Sequence, residues 1–157
     1  MVSWRAQLAS VLPGMLAHEG IWTGTYRHLD AAGRLIDVHA SHVTCAFPDT
    51  GPFAYIQTNR FSWSDGRVQT AQLPGTLKGD RLFWDVETFS GSAFAAGDGM
   101  IGLNLIRKDV PGASFLEIIT PPTEKGHRAR TWHWFRDGVL TGRTLCDERR
   151  SGQPVSG

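Results

Sequence analysis

The segment HASHVTC, residues 39–45, sets two imidazoles and a thiol within seven positions, the side-chain types that hold zinc and other soft cations. In an extended strand, however, His39 and Cys45 face one side and His42 the other, so the three do not converge, and no metal is expected. His39 and Ser41 share a register with Leu35, Val43 and Phe47. The competing register of Ile36, Val38 and Ala40 is nearly as apolar, so either face of this strand can be the inner one.

Proton chemistry has other candidates. His133 lies between two tryptophans in RARTWHWFRDGVL, residues 128–140, and a half-buried imidazole titrates near neutrality, as a general acid or base must. The plain alternative is a histidine satisfied by Thr131, Thr144 or a backbone carbonyl. Tyr26 and Tyr55 each offer a phenol to a ligand oxygen or simply pack in a wall. Glu117, in the apolar run SFLEIIT, is either inward with a raised pKa or paired with an arginine. Asp85 and Glu87 oppose Leu82, Trp84 and Val86 and read as solvated. The sequence contains no serine nucleophile elbow, phosphate-binding loop or dinucleotide fingerprint.

Strands must position these groups. Residues 3–12 place Trp4, Leu8 and Val11 or Leu12 at helical spacing behind Ser3, and Pro13-Gly14 ends that pattern. From Ile21 onward, runs rich in β-branched and aromatic residues alternate with turn clusters, which predicts strands near 21–28, 34–47, 53–63, 67–73, 81–88, 100–107, 114–120, 128–136 and 139–149. A meander of this length removes its edges by closing, so the fold class is all-β: a closed antiparallel barrel of about eight to ten strands behind a short N-terminal helix. The domain boundaries follow as a helical segment over 1–19, a barrel over 20–150 and a disordered tail over 151–157.

Two Asp-Gly turns set faces. Asp137-Gly138 as a two-residue hairpin pairs His133 with Gly142, Trp132 with Arg143 and Arg128 with Asp147. Arg128, Arg130, Trp132, Trp134 and Arg136 then form a watered face, and Thr131, His133, Phe135, Leu140, Gly142, Thr144 and Cys146 an interior one. Asp65-Gly66 likewise pairs Trp63 with Val68 and Phe61 with Thr70, which turns Tyr55, Gln57, Asn59 and Phe61 inward. A buried amide without a partner costs about 1–3 kcal/mol, so inward Gln57 and Asn59 imply a polar network, ordered water or a polar ligand atom.

GIWTGTYRH, residues 20–28, opens the first strand with Gly20-x-Trp22 directly after the helix, which resembles the calycins: lipocalins, fatty-acid-binding proteins and bacterial barrels of uncharacterised function. That resemblance implies that Trp22 plugs one barrel end beneath an arginine of the last strand, with Arg143 and Arg149 in the right region. The segment is also similar to the start of nitrobindins, haem-binding barrels that ligate iron through a histidine near the C-terminus. Here the last histidine is His133, and no cofactor is expected.

The whole chain of 157 residues is one domain's worth, with 16 basic and 15 acidic side chains and no charge run, which excludes the footprint of a nucleic-acid binder. Apolar stretches are far shorter than a membrane-spanning helix needs, so no membrane insertion is expected and a cytoplasmic protein, monomeric or homodimeric, is the reading. The two cysteines, Cys45 and Cys146, form neither a disulfide framework nor a zinc spacing. The expected function is binding of a small apolar or aromatic metabolite with one or two oxygens. The lining residues would be Tyr26, His39, Ser41, Gln57, Asn59 and Phe61, joined by Trp84, Thr131 and Phe135. The alternative is a cofactor-independent isomerase, cyclase or lyase in the same cavity, with His133, Tyr55 and Glu117 as its catalytic groups.

Overall fold

The computed structural model describes residues 3–151. Helix α1 (Trp4–Val11) starts where the sequence places it, because the Ser3 hydroxyl accepts the Ala6 amide at 3.0 Å and so satisfies one of the helix's free N–H groups. Pro13 then opens a one-turn helix, α2 (Pro13–Leu16), since its fixed φ suits a first helical position and its missing N–H costs nothing there. Leu8, Leu12 and Met15 are buried under this pair.

Ten strands follow: β1 (Gly20–Asp30), β2 (Leu35–Ala46), β3 (Tyr55–Ser62), β4 (Val68–Lys78), β5 (Arg81–Asp85), β6 (Phe89–Gly97), β7 (Met100–Arg107), β8 (Ala113–Ile119), β9 (His127–Arg136) and β10 (Val139–Arg150). Each pairs antiparallel with its sequence neighbours, and β1 pairs with β10, so the meander closes into a barrel. The strand that the sequence pattern misses is β6, FSGSAFAAG, whose glycines, serines and alanines carry no β signal. Gly91 nevertheless must be small: a Cβ there would lie 2.1 Å from the Asn104 carbonyl oxygen on β7. The tail over 152–157 lies outside the described residues.

The Asp65-Gly66 turn is looser than a two-residue hairpin, with Trp63 and Arg67 flanking it and Phe61 opposite Gln69 rather than Thr70. The faces of β3 survive this change, because the strand's own alternation sets them. The Asp137-Gly138 turn forms as expected, with Val139 opposite Arg136, but the register then slips: Leu140 pairs with Phe135 and Gly142 with Trp134. Thr141 is the extra residue of a β-bulge. A slip of one residue exchanges faces between paired strands, so β10 keeps Gly142, Thr144 and Cys146 inward while β9 turns Arg128, Arg130, Trp132 and Trp134 inward. The expected outer face of β9 is thus the inner one.

One barrel end is closed by the helices and by Trp22, fully buried, whose indole donates to the His18 carbonyl at 3.0 Å. The guanidiniums of Arg128 and Arg150 lie over its ring at 4.3 and 4.6 Å. The last-strand arginine over the tryptophan is therefore Arg150, opposite Trp22 in register, and not Arg143 or Arg149, which point outward. Arg150 also donates to the Ala17 and Glu19 carbonyls, tying the helices to the barrel rim. Among the described residues no helix is long and apolar enough to cross a membrane.

Candidate functional site

Above the Trp22 plug the barrel holds a cavity of about 400 Å³. Its walls are apolar and aromatic, with Leu103, Leu105, Phe115 and Phe61 set among four of the six tryptophans, Trp63, Trp84, Trp132 and Trp134. The strands put them there by alternation: even positions of β9 and odd positions of β3 and β7 face inward.

The floor is ionic. Arg130 donates to Glu117 at 2.8 Å and to the Tyr26 hydroxyl at 2.9 Å, and reaches Glu148 at 3.5 Å. Arg128 donates to Glu148 at 3.1 Å and to His18 Nδ1 at 3.1 Å. Two guanidiniums thus meet two carboxylates from β8 and β10, and buried charges persist only when matched in this way. Burial pushes the Glu148 carboxyl up, but Arg130 and Arg128 together outweigh it and hold the group below the usual carboxylate range. For Glu117 burial wins over the Arg130 pair, and its pKa is raised. Burial likewise raises the Tyr26 phenol and the Cys146 thiol, so neither is an acid near neutrality.

One wall carries a polar relay. The Tyr55 hydroxyl donates to Gln57 Oε1 at 2.9 Å, and Gln57 Nε2 donates to Asn59 Oδ1 at 2.8 Å. Asn59 lines the cavity, and among the described residues its Nδ2 donor meets no side chain. The relay therefore presents an amide N–H to whatever enters.

The mouth lies at the far end from the helices. There His28, Asp37 and His39 line the cavity, with one ligand-type atom from each within 4.8 Å of the others. His39 Nδ1 is 3.1 Å from Asp37 Oδ2, and His28 Nε2 is 4.0 Å from the same oxygen. Burial, helped by His39 and opposed by Asp37, lowers the His28 pKa.

The structure gathers most of the expected site and rejects part of it. Tyr26, His39, Gln57, Asn59, Phe61, Trp84 and Glu117 line the cavity. Tyr55 stands behind Gln57, and Ser41 is buried facing inward outside the lining, its hydroxyl without a partner. His133 is exposed on the outer wall, stacked near Phe135, and Thr131 shares that wall, because the Thr141 bulge reverses β9. Arg128 pairs with Glu148 instead of Asp147 for the same reason. The inner face of β2 is the one with His39, Ser41, Val43 and Cys45, while Ile36 and Val38 are exposed. Sequence reasoning missed Arg130 as the floor cation, and missed His28 and Asp37. The last two sit on adjacent strands directly opposite one another, a pairing visible only once the β1–β2 register is known.

No protein-family model matches the chain, and no curated protein matches it. Among solved structures it is similar to a protein of unknown function of the DUF3598 family from Nostoc punctiforme, at TM-score 0.68 and 21% identity over 87% of this chain and 49% of that one. The chain thus spans about half the length of the Nostoc protein. It is also similar to the S-type phycobiliprotein lyase CPES from Guillardia theta, at TM-score 0.70 and 17% identity over 88% and 91% of the two chains. A third neighbour is Rv2717c from M. tuberculosis, at TM-score 0.61 and 14% identity over 90% and 98%. At these identities the likeness is one of fold, and with the closed ten-strand barrel and its N-terminal helix that fold fits a calycin-like barrel.

Proposed function

We propose that the protein binds one small aromatic or largely apolar molecule, bearing one or two oxygens, inside the barrel. The observation that carries this is the cavity itself: about 400 Å³, walled by indoles and aliphatic side chains, with one amide donor offered by Asn59. That volume falls in the range of small-molecule pockets, which pair apolar walls with a few placed polar groups. The floor charges compensate each other, so the cavity favours a neutral ligand.

A second reading is favoured by a specific contact. His39 and Asp37 form a titratable pair within hydrogen-bond reach at the cavity wall, the inventory that moving a proton requires and that His133 does not supply. A lyase or isomerase working through His39 is consistent with the lyase name of the Guillardia theta neighbour.

Binding is tested with a naphthol against naphthalene, read by quenching of the cavity tryptophans and by thermal shift. Ligand at about a hundred times its dissociation constant adds about 2.7 kcal/mol, or about 5–11 °C for a domain of this size. Asn59→Leu should weaken the naphthol about 5–10-fold, the worth of one buried hydrogen bond, and leave naphthalene unchanged. Silence with both compounds sinks the cavity reading, and equal effects of Asn59→Leu on both remove the amide's role.

A further inference from the structure

The mouth triad has a feature that neither packing nor proton transfer explains: all three side chains are held from behind, with their ligand-type atoms turned toward one another. His28 Nδ1 lies 2.7 Å from the Thr144 hydroxyl, which Trp134 Nε1 also engages at 2.8 Å, and this leaves Nε2 facing Asp37. Asp37 is steadied by Trp63 Nε1, 3.1 and 3.2 Å from its two oxygens. The His39 ring is packed between Tyr26, Phe61 and Trp63 with its Nδ1 toward Asp37, and its other nitrogen, Nε2, is buried without a partner.

We infer that His28, Asp37 and His39 form a binding site for a divalent transition-metal cation at the mouth of the cavity. Two imidazoles and one carboxylate are a borderline donor set suited to zinc and its first-row neighbours. Ligand atoms about 2.0–2.2 Å from such an ion stand roughly 3.0–3.5 Å apart. The His39–Asp37 separation of 3.1 Å already meets that spacing, and the His28–Asp37 separation of 4.0 Å closes by a small side-chain rotation. Thr144, Trp134 and Trp63 are the outer contacts that orient metal ligands and fix which ring nitrogen points at the ion. Asp37 supplies the one negative charge, at the rim where a cation from solvent reaches it.

Three protein ligands leave at least one coordination position open, and here it faces the cavity. An oxygen of the cavity's ligand would fill it, which makes aromatics bearing a neutral oxygen donor, such as a phenol or a carbonyl, the favoured class. That second step rests on the small-molecule reading; the metal site does not, so zinc binding can succeed or fail by itself.

The test is calorimetric titration of the chelator-treated full chain with zinc chloride alone, and with cobalt chloride read by visible absorption. One equivalent of zinc should bind. His28→Gln and Asp37→Asn should each weaken it at least 10–100-fold, a range already typical of losing a supporting contact. His42→Ala and His133→Ala, both on the outer wall, should change nothing. Asp37 is partly exposed, so Asp37→Asn keeps its indole contact and its fold, checked by circular dichroism, even where a histidine variant does not. Absence of zinc uptake overturns the inference, as does uptake that survives Asp37→Asn.

Discussion

His18 gives the barrel an acid limit whose size follows from its surroundings. The residue is buried between the helices and the floor, and Arg128, which can only donate, points an N–H at His18 Nδ1. The ring therefore accepts and is neutral. Burial, then the charges of Arg128, Arg130 and Arg150, push its pKa from 6.5 down to about 3. As pH falls the unfolded chain takes up this proton first, so the stability contributed by the neutral ring is complete above pH 6.5 and is lost progressively toward pH 3. Between 6.5 and about 5 the loss is roughly 1.5 pH units at about 1.4 kcal/mol each, or about 2 kcal/mol. That is about 4–8 °C in Tm for a domain of this size. Urea unfolding near neutrality and near pH 5 measures it, with His18→Gln as the comparison, since the amide oxygen accepts from Arg128 and does not titrate. His28, also depressed, adds to the slope in both proteins and cancels in the difference. Equal pH slopes for the wild type and His18→Gln would refute the reasoning.

The two floor carboxylates should behave differently. Glu148→Gln removes the carboxylate that both arginines hold and should cost about 3–5 kcal/mol in denaturant unfolding, while Glu117→Gln, where burial already outweighs the ion pair, should cost clearly less; the reverse order would contradict the assignment. Gly24→Ala should destabilise by at least about 1–3 kcal/mol, because its Cβ would stand 2.0 Å from the Asp147 carbonyl oxygen across the closing β1–β10 pair. A Gly24→Ala protein with an unchanged urea midpoint would show that this pair is not closely packed.

The barrel was legible because its punctuation is local: Asp-Gly and Pro-Gly turns, a capped helix and a period of two are each written within a few residues. The inward turn of Gln57 and Asn59 followed from the same alternation. The interior of β9 was not legible, for two physical reasons. The β-bulge at Thr141 is marked in GVLTGR only by the neighbouring Gly142, a cue shared with any close approach between strands, yet it reverses every side chain paired beyond it. And Arg128 and Arg130 look like surface residues until Glu117 and Glu148, 13 and 18 residues from Arg130, are seen to neutralise them. Local patterning assigns charge to water because it cannot count counter-charges arriving from other strands. The mouth triad was hidden likewise, since His28 and Asp37 meet only across a register that skips a residue between His28 and Leu29.

The pairing of the first strand with the last also sets the entropic cost of closing the barrel. Trp22 and Arg150 are the most distant partners in the sheet, so their contact closes the largest loop and carries the greatest entropic cost of any strand pair. β1 to β9 all precede β10 along the chain. Without β10 the floor would keep one carboxylate, Glu117, for the two guanidiniums of Arg128 and Arg130. The closing strand brings Glu148 with it, so the step that removes the sheet's edges is the same step that neutralises its interior.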